Sequence, residues 1–204
     1  MVNILYILIG VIIAWFAVDF VLLSWDIHKN KLFQIHFKYQ PNTIKLKLPK
    51  IEAREKESFW FFMVALILCL GLIIAEYLMF STETGFVNYV GAVIVFFAGL
   101  IRIWSRSVLH EYFTLKVLIQ KKHKLIRSGP YNFIRHPGYL SLTLFLIGLG
   151  LAFSSKFGLG LLLLLFIPAL VYRIAKEEEL MLAKFGKDYI YYMNSTKKLI
   201  PYIY

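Results

Sequence analysis

The side chains best suited to chemistry fall in one short run and one later cluster. The run is Gly129-Pro130-Tyr131-Asn132-Phe133-Ile134-Arg135-His136-Pro137-Gly138-Tyr139, which sets an arginine, a histidine and two tyrosines against the start of a long apolar hairpin. Beyond the hairpin stand Arg173 and the pair Glu177-Glu178. Ionisable groups beside hydrocarbon are expensive, so a cluster at both mouths of one hairpin is expected to be used. Folding the hairpin back would bring together a helix N-terminus, His136, Tyr131, Tyr139, Arg173 and Glu177. Such a pocket carries both charges and aromatic faces, with lipid on one side. It suits a zwitterionic, aromatic cofactor and an amphiphilic acceptor.

The local sequence supports that placement. Proline fits the first turn of a helix and pushes the residue before it to extended geometry, so a helix is expected to begin at Pro137 with His136 near its cap. The free N–H groups of that first turn form an anion site. Arg173 and Glu177 are four apart and share one helical face. A plain salt bridge is the simple alternative, although Arg preceding Glu is the weaker order for such a pair. Other chemistries fit less well. No Ser-His-Asp order with a nucleophile elbow is present. His110, His123 and His136 lack an HExxH pattern, and Cys69 is the only cysteine, so no metal is expected.

Five apolar segments must position these groups: Asn3 to Trp25, Phe59 to Phe80, Phe86 to Trp104, Tyr139 to Phe153 and Phe157 to about Ile174. A straight span needs about 20 residues. The fourth segment is short, so it is expected to reach back to Pro137 or to form a tight hairpin with the fifth, with Ser154-Ser155-Lys156 as the tip. No small-residue cleavage site follows residues 3–25, so that segment reads as a span. Lys176 to Met193 reads as an amphipathic helix, with Leu180, Leu182, Phe185, Tyr189 and Tyr192 spaced to share a face. The stretch 26–58, including Lys45-Leu46-Lys47-Leu48-Pro49, reads as a solvated linker. Asp19, Glu76 and Arg102 lie near span ends and read as interfacial. The Gly148-Leu149-Gly150 and Gly158-Leu159-Gly160 runs read as close helix packing.

Composition agrees. The chain has 204 residues, 59% of them hydrophobic, above the roughly 45–50% of soluble domains. Eight Lys/Arg lie in 26–58, eight in 102–138 and six from 173 onward. The positive-inside rule then puts both long loops and the C-terminus in the cytoplasm and the N-terminus outside. The net charge of +11 is thus a topology signal and an attraction to anionic lipid, with no nucleic-acid partner expected. The expected fold is all-α: one multi-pass membrane bundle, residues 1–204, of about five transmembrane helices with a C-terminal cytoplasmic amphipathic helix. Residues 1–103 form its variable spans and 104–204 its chemical half.

The chemical half resembles the isoprenylcysteine carboxyl methyltransferases and the related phospholipid methyltransferases. The likeness lies in His123-Lys124-Leu125-Ile126, Gly129, Tyr131, Arg135-His136-Pro137-Gly138-Tyr139, Arg173, Glu177-Glu178, Phe185-Gly186, Tyr189, Tyr192 and Pro201. Ser141 stands where that family usually has glycine. The resemblance implies a membrane-embedded methyltransferase using S-adenosyl-L-methionine, in an inner membrane or the endoplasmic reticulum. It implies that His123, Lys124, Leu125, Ile126, Tyr131, His136, Pro137, Gly138, Tyr139 and Glu177 contact the cofactor. Arg173 would be the catalytic, acceptor-facing residue, and Arg135 would support the loop or meet the cofactor carboxylate. The implied acceptor is an isoprenylcysteine-like carboxylate. A phospholipid amine, a non-catalytic binding role and transport are the alternatives.

Overall fold

In a computed structural model of the chain, the described residues, which are 10, 15, 48–80, 85–109 and 125–200, fold almost entirely into helices. Among them the only β-type pairing is an isolated bridge between Ile134 and Lys197. The chain divides into two units, Met1–Gln40 with Leu109–Lys124 and Pro41–Val108 with Leu125–Tyr204. In the first, Gly10 and Trp15 are helical and Trp15 is buried. The rest of the expected first span, with Asp19, lies outside the described residues.

In the second unit, α1 is Leu48–Met79, α2 Phe86–Leu109, α3 Pro137–Ala152, α4 Lys156–Leu161, α5 Ile167–Phe185 and α6 Lys187–Ser195. A single 3-10 turn, Gly129–Asn132, precedes α3. One π-helical turn, Leu162–Phe166, joins α4 to α5, so Lys156–Phe185 is a continuous helical rod. The wide turn sits just before Pro168, whose ring would crowd the carbonyl one turn back. Bonding Ile167 N–H to Leu162 O lets the helix pass through the proline.

Three stretches, Ile51–Met79, Phe86–Leu109 and Lys156–Phe185, are long and apolar enough to cross a membrane. Their outer faces expose Trp60, Ile67, Leu78, Phe96 and Leu164, as surfaces facing hydrocarbon do. α3 is apolar but has only 16 residues, so it rises about 24 Å and falls short of a bilayer core of about 30 Å. The core between the helices is built from Cys69, Ile73, Phe145, Leu146, Leu149, Phe166 and Leu170, all essentially inaccessible.

Two sequence expectations change here. The helix that carries the second apolar segment begins at Leu48, well ahead of Phe59, so 48–58 is helix and not linker. Pro49 suits a first turn, and Ile51 to Ser58 contains no glycine or proline and several strong helix formers. The last rod runs without interruption past Ile174 to Phe185. The break falls at Gly186, with φ +53°, a conformation that favours glycine. The amphipathic stretch is therefore divided between the end of α5 and α6.

Small residues and two polar side chains fix the hairpin. A Cβ on Gly91 would lie 2.3 Å from Ala152 N, and one on Gly148 would lie 2.8 Å from Val95 Cγ2. α2 and α3 thus cross at backbone contact. Gly150 and Gly158 are similarly confined by Leu159 and Ile73, whereas Gly160 has open space. Asn88 Nδ2 donates to Ala152 O at 2.7 Å and to Ser154 Oγ at 2.9 Å, closing the end of α3. Glu76 accepts from Ser155 Oγ at 2.6 Å and from the N–H groups of Lys156, Phe157 and Gly158 at 3.0 to 3.2 Å. Both polar groups inside the apolar spans therefore satisfy a helix terminus at the tip. Ser141 is fully buried and donates to Gly138 O at 2.7 Å.

Candidate functional site

The site is assembled where α3 starts, opposite the middle of α5. Gly129 has φ +60°, and a Cβ there would lie 2.6 Å from Val108 Cγ2, so only glycine fits this turn. The turn leads into His136, which caps α3 ahead of Pro137. The His136 carbonyl accepts from Tyr139 and Leu140 N–H, both at 3.1 Å. The His136 and Tyr139 rings stack with centroids 5.7 Å apart, and Phe62 of α1 meets the Tyr139 ring edge-on at 5.6 Å.

Tyr139 links the cation to the carboxylate. Its hydroxyl donates to Glu177 Oε2 at 2.7 Å and accepts from Arg173 Nε at 3.1 Å. The direct Arg173–Glu177 separation is 4.0 Å, so the phenol is the shorter route between them. Arg173 is buried. Its Nη1 donates to Glu55 O at 2.8 Å and to Ser58 Oγ at 3.1 Å, and its Nη2 meets Glu55 Oε1 at 2.5 Å. The guanidinium also lies over the Phe59 ring, 5.5 Å from its centroid.

Glu178 serves a second network. Its Oε1 accepts from Arg135 Nε at 2.7 Å and lies 3.4 Å from His136 Nε2, while Lys198 Nζ is 3.7 Å from Oε2. Arg135 also donates to Met193 O at 3.1 Å and to Thr196 O. The backbone N–H groups of Arg135 and His136 donate to Lys197 O at 2.7 Å and Lys198 O at 3.0 Å. Residues 196–198 are thereby strapped across the run before α3. Arg135 supports this loop.

Tyr131 lies on the near side of the turn, and its backbone carbonyl accepts from Tyr192 Oη at 2.7 Å. Its phenol sits in the combined field of Arg102, Arg106 and Glu177, a mixed-charge setting suited to a zwitterion. Burial pushes the Tyr131, Tyr189 and Tyr192 phenols up, so all three remain neutral. Leu125 and Ile126 are half-buried in the segment ahead of the turn. Gly138 contributes its carbonyl, 3.4 Å from Arg102 Nη1. His123 and Lys124 lie outside the described residues, as does His110. The structure thus gathers His136, Pro137, Gly138, Tyr139, Arg173 and Glu177, with Tyr131 beside them. A surface cleft lined by Asn132, Phe133, Met193 and Thr196 contains none of these.

Residues 90–183 match the model of the isoprenylcysteine carboxyl methyltransferase (ICMT) family. Through this segment, a little under half of its length, the chain is similar to that family. A rice protein (Oryza sativa subsp. indica) named "Probable protein-S-isoprenylcysteine O-methyltransferase" is 28% identical over 123 residues, which are 59% of this chain and 64% of the rice protein. The "Protein-S-isoprenylcysteine O-methyltransferase" of Saccharomyces cerevisiae is 26% identical over 126 residues, 61% of this chain and 53% of the yeast protein. A Haemophilus influenzae protein is 32% identical over 102 residues, half of this chain and 59% of that one. The match therefore spans less than two thirds of these relatives.

The segment that matches the ICMT family model contains Arg102, Arg135, His136, Tyr139, Arg173 and both glutamates. It does not contain Glu55 or Ser58, which hold two of the three Arg173 nitrogens. Sequence reasoning missed both, along with the division of labour between Glu177 and Glu178. The available signal was the i, i+3 spacing of Glu52, Glu55 and Ser58, which places them on one face once Pro49 is read as a helix start.

Proposed function

We propose that this chain is an integral membrane methyltransferase that uses S-adenosyl-L-methionine to O-methylate the carboxylate of an isoprenylcysteine-like lipophilic acceptor. The observation that carries this reading is Tyr139, bonded at once to Arg173 and Glu177 within the segment that matches the ICMT family. The donor set fits the cofactor. Glu177, the aromatic faces of Tyr131 and Tyr139, and the field of Arg102 and Arg106 would hold its cationic, aromatic and anionic parts. His136, Pro137, Gly138, Leu125 and Ile126 would complete the enclosure, and the family resemblance assigns His123 and Lys124 to the cofactor as well. Bound S-adenosyl-L-methionine supplies an electrophilic methyl group on sulfur, which an acceptor oxygen takes up as the carbon–sulfur electron pair leaves with sulfur.

The protein's own part is alignment. An α-carboxyl has a reference pKa of about 3.3–3.7 and is already ionised, so no general base is required. Arg173 orients that carboxylate through its fork of N–H donors. Tyr139 sets the fork's direction, and holding both reactants in line contributes much of the acceleration. The lipophilic chain enters between helices from the bilayer, and the cofactor enters from the cytoplasm. Around this site the reading gives five spans, N-terminus outside and C-terminus cytoplasmic.

Purified protein incubated with methyl-labelled cofactor and either S-farnesylcysteine or ethanolamine lipid tests the reading. Base-labile label on the prenylcysteine carboxylate is expected. Label confined to the lipid amine, or no transfer at all, would refute it.

A further inference from the structure

Arg173, which the proposed reaction assigns to the acceptor carboxylate, already holds a carboxylate in this structure. Glu55 Oε1 lies 2.5 Å from Arg173 Nη2, and the pair is largely buried. Three further contacts do not depend on the Glu55 side chain. Arg173 Nη1 donates to the Glu55 backbone carbonyl and to Ser58 Oγ, and Nε donates to Tyr139. Ser58 Oγ is itself fixed by donating to Glu55 O at 2.7 Å. If the Glu55 carboxylate swings away, the guanidinium therefore keeps its position and frees one edge. Glu55 is less buried than Arg173, at 16% against 9% side-chain exposure, so it has a route out. Lys184 lies in the electrostatic reach of Glu52 and Glu55 and provides a counter-charge along α5.

We propose that Glu55 is an internal stand-in for the acceptor's carboxylate, evicted when the acid binds and returning to Arg173 once the group has become an ester. This inference rests on the proposed carboxyl methylation. It adds a residue outside the family-matched segment that sets acceptor affinity and refills the guanidinium after transfer. An ionised acid competes with Glu55 for the guanidinium on equal chemical terms. The methyl ester carries no charge, so it loses that competition and leaves. Glu55 thus moderates the affinity for the acid, while the ester, which leaves the Glu55–Arg173 pair in place, is little affected. A site whose competent form is only fractionally open binds its ligand more weakly by that fraction.

The test compares binding of radiolabelled N-acetyl-S-farnesylcysteine and its methyl ester to the full chain in nanodiscs. In Glu55→Gln the acid is expected to bind on the order of tenfold tighter, while the ester changes by less than about twofold because it does not evict Glu55. Glu52→Gln, which removes the same charge one turn away, should leave the acid-to-ester ratio unchanged. If Glu55→Gln does not fold, Glu55→Asp draws the carboxylate back by one methylene and should give a smaller rise of the same sign. Unchanged or weaker acid binding overturns the proposal, as does an equal gain in Glu52→Gln. Failure of both probes to bind even the wild type would instead bring down the carboxyl-methylation reading, and this inference with it.

Discussion

Glu177 and Glu178 are neighbours in sequence and serve different partners. Glu177 takes a hydrogen bond from Tyr139, whereas Glu178 takes one from Arg135 and lies beside His136. Successive helical residues point about 100° apart, so one carboxylate reaches the Arg173 side and the other the C-terminal strap. Their substitutions should separate accordingly. Glu178→Gln removes one member of a buried ion pair and should destabilise the protein by about 3–5 kcal/mol. It should also expose residues 193–200 to limited proteolysis. Glu177→Gln should leave the strap intact and weaken cofactor binding by calorimetry, as should His136→Ala. Unchanged cofactor affinity in both would remove the cofactor role assigned to this corner.

Arg173→Ala should abolish methyl transfer while cofactor binding largely survives. The measurement is a pair: labelled turnover and calorimetric titration with the cofactor. Arg173→Lys should also fail, because a point charge cannot replace a planar fork that spans Glu55, Ser58 and Tyr139. Loss of cofactor binding with retained acceptor affinity would reverse the assignment.

Tyr139→Phe keeps the ring packed between His136 and Phe62 and deletes the hydroxyl that joins Arg173 to Glu177. Hydrogen bonds to charged groups are worth about 1.5–3 kcal/mol. A drop in kcat/KM of roughly 10- to 100-fold is expected, with the melting temperature nearly unchanged. A fall in stability as large as the fall in rate would mark the phenol as structural only.

Gly91→Ala should lower thermal stability in detergent by about 1–3 kcal/mol, since its methyl would press on the α3 backbone. Gly160→Ala, facing open space, should be neutral or gain up to about 1 kcal/mol from helix propensity. Similar effects at both positions would contradict the close crossing of α2 and α3.

By itself the sequence determined the helical class, the apolar segments and the start of α3. Those follow from local physics: hydrocarbon-length apolar runs, proline at a first turn and glycine where φ is positive. Order along the chain also marked Arg173, Glu177, His136 and Tyr139 as members of one site, because a hairpin must return its ends to each other. The start of α1 at Leu48 was legible in Pro49 and the helix formers after it, but a charged stretch reads equally well as solvated loop until something packs against it. Only the tertiary structure decided which carboxylate Arg173 holds, since Glu55 is remote in sequence and reaches it through the packing of α1 on α5. It also decided that Tyr139 mediates the Arg173–Glu177 contact and that Arg135 is committed to Glu178 and the C-terminal strap. Pairings between residues far apart along the chain depend on how helices cross, and no local preference encodes that choice.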